Sequence, residues 1–159
     1  MAQLCAGGVT LRKQIDAKWP KRDRRSDGWI GDPAHAARVS DHNPDRDGIV
    51  HALDIDENLG IGRLRNGWQA RQLANQLRRY AASGLPGSKR IKYIVYENRL
   101  ASGTYKATWW KWRPGRWGHE FHIHVSFTDA ADRNGALFPL PCLAMNPAQK
   151  AAWERQLYR

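Results

Sequence analysis

The sequence predicts an α+β fold, in which helices flank a small antiparallel sheet. Residues 67–82 carry apolar side chains at helical spacing, which indicates an amphipathic helix packed against a sheet. Three other segments alternate apolar and polar residues in the pattern of half-buried strands: 49–56, 90–96 and 122–127. Helices that alternate with strands able to pair antiparallel favour one small α+β domain, which we place at residues 1–159.

The chain is strongly basic. It contains 26 Lys and Arg residues against 15 Asp and Glu, which gives a formal net charge of +11 and a pI near 10.2. This charge favours a polyanionic partner, and nucleic acid, an anionic membrane and the bacterial cell wall all qualify. Because basic residues occur along the whole chain, with a dense run at 18–25, the charge alone does not choose among them.

The cysteine content and the hydropathy pattern indicate the cellular environment in which the protein is made. Cys5 and Cys142 lie far apart, and neither has a second cysteine nearby, so no thiolate metal site is expected and both thiols should be reduced. The sequence has no run of 18 apolar residues, and its first residues lack the features of a signal peptide. We therefore expect a soluble protein that is made in the cytoplasm and does not insert into a membrane.

Two helices are predicted before the first long strand. Thr10 can cap a helix over residues 11–18. Asp32 can cap a short helix over residues 33–39. This helix would begin with a proline, which suits the first helical position. Residues 40–48 then contain Asn-Pro and Asp-Gly steps that indicate tight turns.

The predicted strand at 49–56 has one unusual face. Its two faces are Ile49, His51, Leu53 and Ile55, and Val50, Ala52, Asp54 and Asp56. Carboxylates that are buried among small residues need partners, and a metal ion is the most economical partner for two of them. His51 shares the apolar face, so we interpret it as a packed histidine.

Residues 105–117 interleave four tryptophans with four cations. Aromatic faces beside cations suit stacking on sugars or bases and pairing with anionic groups. Tryptophan is also commonly buried, and in the alternative interpretation two or three of these rings fill the core beside the sheet. The pattern leaves both interpretations open.

A last helix is predicted over residues 147–157, which begins with a cap and a proline.

The strongest candidate for chemistry lies in residues 118–127. His119, Glu120, His122 and His124 fall within six residues of one another. On a strand, His122 and His124 project from the same face, about 7 Å apart along the chain. Two imidazoles in this arrangement can share a metal site, or they can supply one ligand and one proton-transfer group.

Other residues can complete such a site. A catalytic zinc typically takes three protein ligands from His, Asp and Glu and leaves a fourth position for water. The candidate ligands are His42, Asp54, Asp56, His119, Glu120, His122 and His124. One histidine and one aspartate from residues 42–54, together with a histidine from a neighbouring strand, would make a three-ligand site.

Three motifs resemble those of the zinc D-alanyl-D-alanine peptidases and of related phage endolysins, which have the hedgehog/DD-peptidase fold. The motifs are Ser40-x-His42, Ala52-x-Asp54 and His119-x-x-His122-x-His124. The resemblance covers about residues 32–128 and implies that His42, Asp54 and His124 bind Zn²⁺. The spacing from His42 to Asp54 is longer than the commonest family form, so the resemblance implies an extra loop between Asn43 and His51.

The resemblance also implies catalytic and substrate-binding residues. His119 and His122 fall where the family places groups that transfer protons or stabilise the oxyanion. Many members have a glutamate three residues before the last ligand, where this chain has Phe121. Glu120 stays a candidate, because it is the nearest carboxylate and would share a strand face with His122 and His124. Arg38 and Ser40, just before His42, resemble positions that hold the substrate's carboxylate or peptide.

The implied function is zinc-dependent hydrolysis of a peptide bond in bacterial peptidoglycan, either in the stem peptide or in a cross-link. The basic charge fits this substrate, because stem peptides carry carboxylates. An endolysin of this kind stays in the cytoplasm of the infected bacterium until it is released to the cell wall. We expect a monomer that has no nucleic-acid partner.

Two other functions fit part of the sequence. Residues 41–44 resemble the start of an HNH nuclease motif, and the basic charge suits nucleic acid, but residues 62–72 offer no second histidine. In the other alternative, the chain is a non-catalytic module that binds the cell wall through the tryptophan-rich segment.

Overall fold

A computed structural model describes residues 1–60 and 67–157. The α-helices in this part of the chain are α1 (Ala6–Lys18), α2 (Pro33–Ala36), α3 (Gly67–Ala82) and α4 (Pro147–Leu157). The strands are β1 (Gln3–Leu4), β2 (Ile49–Val50), β3 (Ala52–Asp56), β4 (Ile91–Tyr96), β5 (Arg99–Ser102), β6 (Arg113–Pro114) and β7 (His122–Phe127). The content is mixed helix and strand, which confirms the predicted α+β class.

Five of the strands form one antiparallel sheet in the order β3-β7-β4-β5-β6. Strand β7 lies between β3 and β4, and its register places His124 opposite Asp54 on one side and Val95 on the other. His122 lies opposite Asp56. The two histidines of the His-x-His motif therefore face the carboxylates of β3 directly across the sheet.

The two faces of the sheet differ because side chains alternate along each strand. One face is apolar and packs against α1 and α3. Its buried members on the strands include Leu53, Ile55, Ile94, Ile123, Val125 and Phe127. The opposite face carries Asp54, His124 and Ser126, so the same strands that build the core also present the polar groups together.

The helix α3 has the bounds predicted from its apolar spacing, and Leu73 and Leu77 on its inner face are fully buried. The helix α1 begins at Ala6, earlier than predicted. Its first turn includes two glycines, which have low helix propensity, so the sequence did not indicate this start. These glycines permit close packing, since a Cβ atom at Gly7 would lie 3.0 Å from the Cβ atom of Ala131. Thr10 is therefore inside the helix, where its hydroxyl donates to the carbonyl of Gly135 at 2.7 Å.

The short helix α2 is capped as predicted, since the Asp32 carboxylate accepts a hydrogen bond from the backbone N–H of His35 at 3.0 Å. It ends at Ala36, earlier than the predicted 39. The predicted strand at 49–56 is interrupted at His51, where the backbone N–H donates to Asp41 and the carbonyl accepts from Phe127. Residues 49–50 therefore pair with β1, and only residues 52–56 join the main sheet.

His51 is buried, as predicted for a packed histidine, but its partner is a carboxylate. Its Nε2 atom lies 2.5 Å from Oδ1 of Asp132. Asp45 lies close to the same pair. Neighbouring ligands of a metal ion are typically separated by about 3 Å, so the shorter distance describes a direct hydrogen bond. This pair ties the residue between β2 and β3 to the segment after β7.

The tryptophan-rich segment, residues 105–117, had two interpretations, ligand binding and filling of the core, and the structure has tryptophans of both kinds. Trp110 is buried, and Trp112 packs partly against the core and donates from its indole nitrogen to Asn75. Trp109 and Trp117 remain about half exposed. Part of the segment therefore fills the core, and part presents aromatic faces to solvent.

Both cysteines are free thiols, as predicted. Burial raises the pKa of Cys5 and of Cys142 to about 11. Among the described residues, no helix has the length and apolar character needed to cross a membrane.

Candidate metal centre

Three side chains converge on the polar face of the sheet: His42, Asp54 and His124. The Nε2 atom of His42 lies 3.2 Å from Nδ1 of His124 and 3.3 Å from Oδ2 of Asp54. The Nδ1 atom of His124 lies 3.0 Å from Oδ1 of Asp54. Both imidazoles are at least 95 % buried, so their nitrogens meet away from bulk water.

A turn before β2 positions His42. The hydroxyl of Ser40 accepts from the backbone N–H of His42 at 3.2 Å, and the carbonyl of Ser40 accepts from the N–H of Asn43. The Nδ1 atom of His42 lies 2.8 Å from the carbonyl oxygen of Trp29. A carbonyl can only accept, so Nδ1 carries the proton of the neutral ring, and Nε2 directs a lone pair at Asp54.

Neighbouring side chains hold His124 in place. Its Nε2 atom lies 2.8 Å from the hydroxyl of Ser126, two residues further along β7. The ring of Tyr93 on β4 stacks on the imidazole, with centroids 5.4 Å apart and planes inclined by 20°. When Nε2 donates to Ser126, Nδ1 has no proton and directs its lone pair at Asp54.

Two nitrogen lone pairs and a carboxylate at these distances need a cation between them, either a proton or a metal ion. Without a metal ion, a proton must lie between these groups, and the pKa values of Asp54, His42 and His124 reflect it. Burial raises the pKa of Asp54, but hydrogen bonds from His124 and His42 outweigh it and hold the pKa well below its usual range. Burial acts against a charged His42, but Asp54 raises its pKa, whereas burial lowers the pKa of His124.

The distances also fit a metal ion. Neighbouring ligand atoms in a tetrahedral zinc site with bonds of about 2.0–2.1 Å are separated by about 3.3 Å. The separations found here are 3.0, 3.2 and 3.3 Å. The hydrogen bonds from the outer ring nitrogens to Trp29 and Ser126 are the kind that orient metal-binding histidines. The described residues therefore include a His/Asp group that could bind a metal ion.

A second pair of histidines adjoins the same carboxylate. His122 Nε2 lies 3.6 Å from Oδ1 of Asp54. The ring centroid of His119 lies 4.8 Å from those of both His122 and His124. Burial lowers the pKa of His119 and of His122, so both rings are neutral at neutral pH. Two neutral imidazoles thus stand beside the first group, in the state needed to accept a proton.

His119 is held in a backbone conformation that is rare for a residue with a side chain. Its φ angle is 57°, and that of the preceding Gly118 is 70°. The tight turn between β4 and β5 supports this conformation, because the N–H groups of Glu97 and Asn98 donate to the carbonyls of His119 and Gly118. The His119 Nδ1 atom lies 2.9 Å from the carbonyl oxygen of Trp117, so Nε2 carries the free lone pair.

Asn98 connects this turn to the loop before β7. Its side-chain oxygen accepts from the N–H of Gly118, and its side-chain nitrogen donates to the Glu120 carboxylate, both at 2.9 Å. Glu120 is exposed and belongs to neither His/Asp group. The alternation predicted that Glu120 shares a strand face with His122 and His124. This prediction is wrong, because the strand begins only at His122.

The other sequence candidates occupy different positions. Arg38 is exposed beyond α2, and its carbonyl accepts from the side chain of Asn43. Ser40 forms the turn that holds His42, as described above. Asp56 is buried, and its carboxylate accepts from Ser26 and from the N–H of Asn58. Its hydrogen bonds therefore satisfy Asp56 without a metal ion.

Sequence reasoning missed four residues around the centre. Ser126 had a signal, because it follows His124 by two residues and so shares its strand face. Asp41 adjoins His42 in sequence, and both of its carboxylate oxygens accept from Lys92 at 2.9 Å. Lys92 and Tyr93 had no local signal, since their proximity depends on β4 being the neighbour of β7.

Comparisons of this chain with protein-family models, with curated proteins and with solved structures found no match.

Proposed function

We propose that this protein is a zinc-dependent peptidase that hydrolyses a peptide bond in bacterial peptidoglycan, and that its sheet is of the hedgehog/DD-peptidase type. One observation carries the proposal. Two histidine nitrogens and one carboxylate meet at metal-ligand separations, while two further neutral histidines adjoin the same carboxylate. This is the combination that metal-assisted hydrolysis needs, namely a three-ligand site beside proton-transfer groups.

His42, Asp54 and His124 are the proposed zinc ligands. A set of two imidazoles and one carboxylate suits zinc, because softer metals favour sulfur ligands and magnesium or calcium favour oxygen. When bound, zinc supplies a Lewis acid that polarises the scissile carbonyl and lowers the pKa of water to about 7. The outer hydrogen bonds to Trp29 and Ser126 fix the ring orientations that this role requires.

His119 and His122 are the proposed proton-transfer groups. Their rings are neutral, so either can accept a proton from the attacking water and pass it to the leaving amine. Such catalysis typically contributes about 10²- to 10⁴-fold to the rate. A protonated ring can also stabilise negative charge on the carbonyl oxygen. Glu120 is less suited to the proton transfer, because its carboxylate is hydrogen-bonded to Asn98.

The charge of the protein supports an anionic polymer as substrate. The formal net charge is +11, and peptidoglycan stem peptides carry carboxylates. Arg38 is exposed at the end of α2 and so is available to a substrate carboxylate. In this proposal the protein is a monomeric phage endolysin, which accumulates in the cytoplasm of the infected bacterium and acts on the cell wall after release.

The geometry gives less support to an HNH nuclease. The side chain of Asn43, which belongs to the nuclease-like segment, donates to the carbonyls of His35 and Arg38. It therefore stabilises the turn after α2. Asp54 and His124, which complete the metal group, lie on antiparallel strands of one sheet, whereas the HNH motif places its histidines within a single ββα unit.

Digestion of purified peptidoglycan tests the proposal. The wild-type protein should clear a wall suspension, EDTA should stop the clearing, and added zinc should restore it. Mass spectrometry of the soluble products identifies the cleaved bond and so separates stem from cross-link cleavage. Asp54→Ala should abolish clearing, while Asp47→Ala, which removes an exposed carboxylate outside the centre, serves as the matched control. Clearing that persists in Asp54→Ala, or fragments with intact peptide bonds, would contradict the proposal.

A further inference from the structure

A cavity lies at the end of the sheet where β4 begins. It has a volume of about 440 Å³, which falls in the range of about 300–1,000 Å³ typical of ligand pockets. The end of α3, the start of β4, and the loop after β5 form its walls. Its lining includes Lys89, Lys92, Gly103, Thr104, Trp109 and Trp110.

Two tryptophans give this cavity its aromatic character. Trp109 is 50 % exposed and offers a ring face to a ligand. Trp110 is only 5 % exposed, yet its indole N–H makes no hydrogen bond among the described residues. The indole nitrogen lies beside Gly103, where a Cβ atom would come within 2.9 Å of it. The cavity therefore combines a stacking face with an indole N–H that lies beside Gly103 and makes no hydrogen bond among the described residues.

The charge of the cavity is positive. Lys89 is exposed, and Lys92 contributes a second ammonium group, which is paired with Asp41. No Asp or Glu is among the described residues that line it. The indole N–H of Trp110 and the exposed ammonium group of Lys89 together favour a ligand that carries oxygen acceptors and negative charge.

Lys92 also connects the cavity to the candidate metal centre. Its ammonium group donates to both carboxylate oxygens of Asp41 at 2.9 Å. Asp41 directly precedes His42, one of the proposed zinc ligands. Lys92 therefore contacts the turn that carries one of the proposed ligands.

We propose that the cavity binds an anionic saccharide. One sugar ring stacks on Trp109, a sugar oxygen accepts from the indole N–H of Trp110, and a carboxylate or phosphate substituent lies near Lys89 and Lys92. The inference rests on the proposed function, since it assigns the cavity to the glycan of the cell wall while the attached peptide reaches the metal centre. The proposed function favours a glycan over single-stranded nucleic acid, which has a similar combination of rings and charge.

Titration of the full-length protein with three defined probes tests this assignment. The first is the peptide-free disaccharide of N-acetylglucosamine and N-acetylmuramic acid, which carries a free carboxylate. The second is neutral chitobiose, and the third is a short oligothymidylate. Indole N–H signals in NMR spectra report on the site, with the Trp110 signal identified by its loss in Trp110→Phe. We expect the acidic disaccharide to shift this signal and to bind more tightly than chitobiose.

Matched variants locate the binding. Trp109→Ala should weaken binding of the acidic disaccharide by about tenfold, in line with the loss of one stacking contact. Lys89→Gln should reduce its affinity to about that of chitobiose. Tyr105→Ala and Lys111→Gln, which remove an exposed ring and an exposed cation outside the cavity, should leave the affinity unchanged.

Three results would overturn the inference: no binding of the disaccharide, binding that is insensitive to Trp109→Ala, or tighter binding of oligothymidylate at the same signals. Hydrolysis of a sugar-free stem peptide by the wild-type protein tests the proposed function separately. Cleavage of that peptide without disaccharide binding would refute only the saccharide site. Disaccharide binding without any peptide cleavage would refute only the peptidase.

Discussion

His42 Nε2 and His124 Nδ1 lie 3.2 Å apart beside the carboxylate of Asp54. The outer nitrogens of both rings have partners, Trp29 for His42 and Ser126 for His124, so the inner nitrogens are directed at each other. Such an arrangement is repulsive unless a proton or a metal ion lies between the nitrogens. We therefore expect metal binding to stabilise the fold as well as to prepare the centre for chemistry.

The first prediction concerns the ligands themselves. Zinc should raise the free energy of unfolding of the wild-type protein, by about 2.7 kcal/mol when free zinc is at 100 times its dissociation constant. His124→Ala removes one of the three proposed ligands, so it should weaken zinc binding at least about 100-fold and abolish this stabilisation. Calorimetric titration and thermal unfolding with and without zinc measure the two effects. Equal zinc affinities in wild type and His124→Ala would contradict the assignment.

A second prediction concerns the orientation of His124. Ser126→Ala removes the partner of Nε2, and the loss of such outer hydrogen bonds typically weakens metal binding by about 10- to 100-fold. Ser102→Ala is the matched control, because Ser102 is a buried serine on strand β5 of the same sheet and bonds to Thr104 instead. Zinc affinity should fall in the first variant and stay constant in the second. An unchanged affinity in Ser126→Ala would show that the ring orientation has another cause.

The third prediction concerns Asn98, which we interpret as a positioning residue for His119. Asn98→Gly keeps the positive φ of 56° accessible and removes only the side-chain hydrogen bonds to Gly118 and Glu120. The loop should then hold His119 less firmly, and kcat on peptidoglycan should fall about tenfold, whereas zinc affinity should not change. Asn98→Asp retains the acceptor for Gly118 and should recover part of the rate. A loss of zinc affinity in Asn98→Gly would instead indicate general disruption of the site.

The sequence predicted those parts of the fold in which local pattern and tertiary packing agree. In α3, apolar spacing alone determined both the bounds of the helix and its buried face. In α1 the two disagree, because Gly7 and Gly8 lower helix propensity but Gly7 allows close contact with Ala131. The start of that helix could not be read from its own residues, since the reason for it lies more than 100 residues further along the chain.

The same distinction applies to the centre. The converging His42, Asp54 and His124 were identified from short motifs on the turn and strands that carry them. Strand alternation failed at Glu120, because the positive φ angles of Gly118 and His119 turn the chain before β7 begins. Lys92 and Tyr93 reach the centre only through the order of strands in the sheet, which no local pattern encodes.

A fourth prediction addresses the buried pair of His51 and Asp132. His51 lies outside the candidate metal centre and binds Asp132 at 2.5 Å, joining the residue between β2 and β3 to the segment after β7. Since a hydrogen bond to a charged group contributes about 1.5–3 kcal/mol, His51→Ala should lower the free energy of unfolding by about that amount. Urea denaturation measures the loss. A double-mutant cycle with Asp132→Ala should show strong coupling, and additive effects would show that the pair contributes little.

The last prediction concerns stability at alkaline pH. Burial raises the pKa of Cys5 from an ordinary 9.0 to about 11. Between these values the unfolded chain releases the thiol proton while the folded chain retains it, so the free energy of unfolding decreases as the pH rises. The shift corresponds to a loss of about 2 kcal/mol from this group by pH 11. Cys5→Ala should therefore lose less stability than the wild type when urea denaturation at pH 8 is compared with pH 10.5. Parallel losses in the two proteins would show that Cys5 retains its ordinary pKa in the fold.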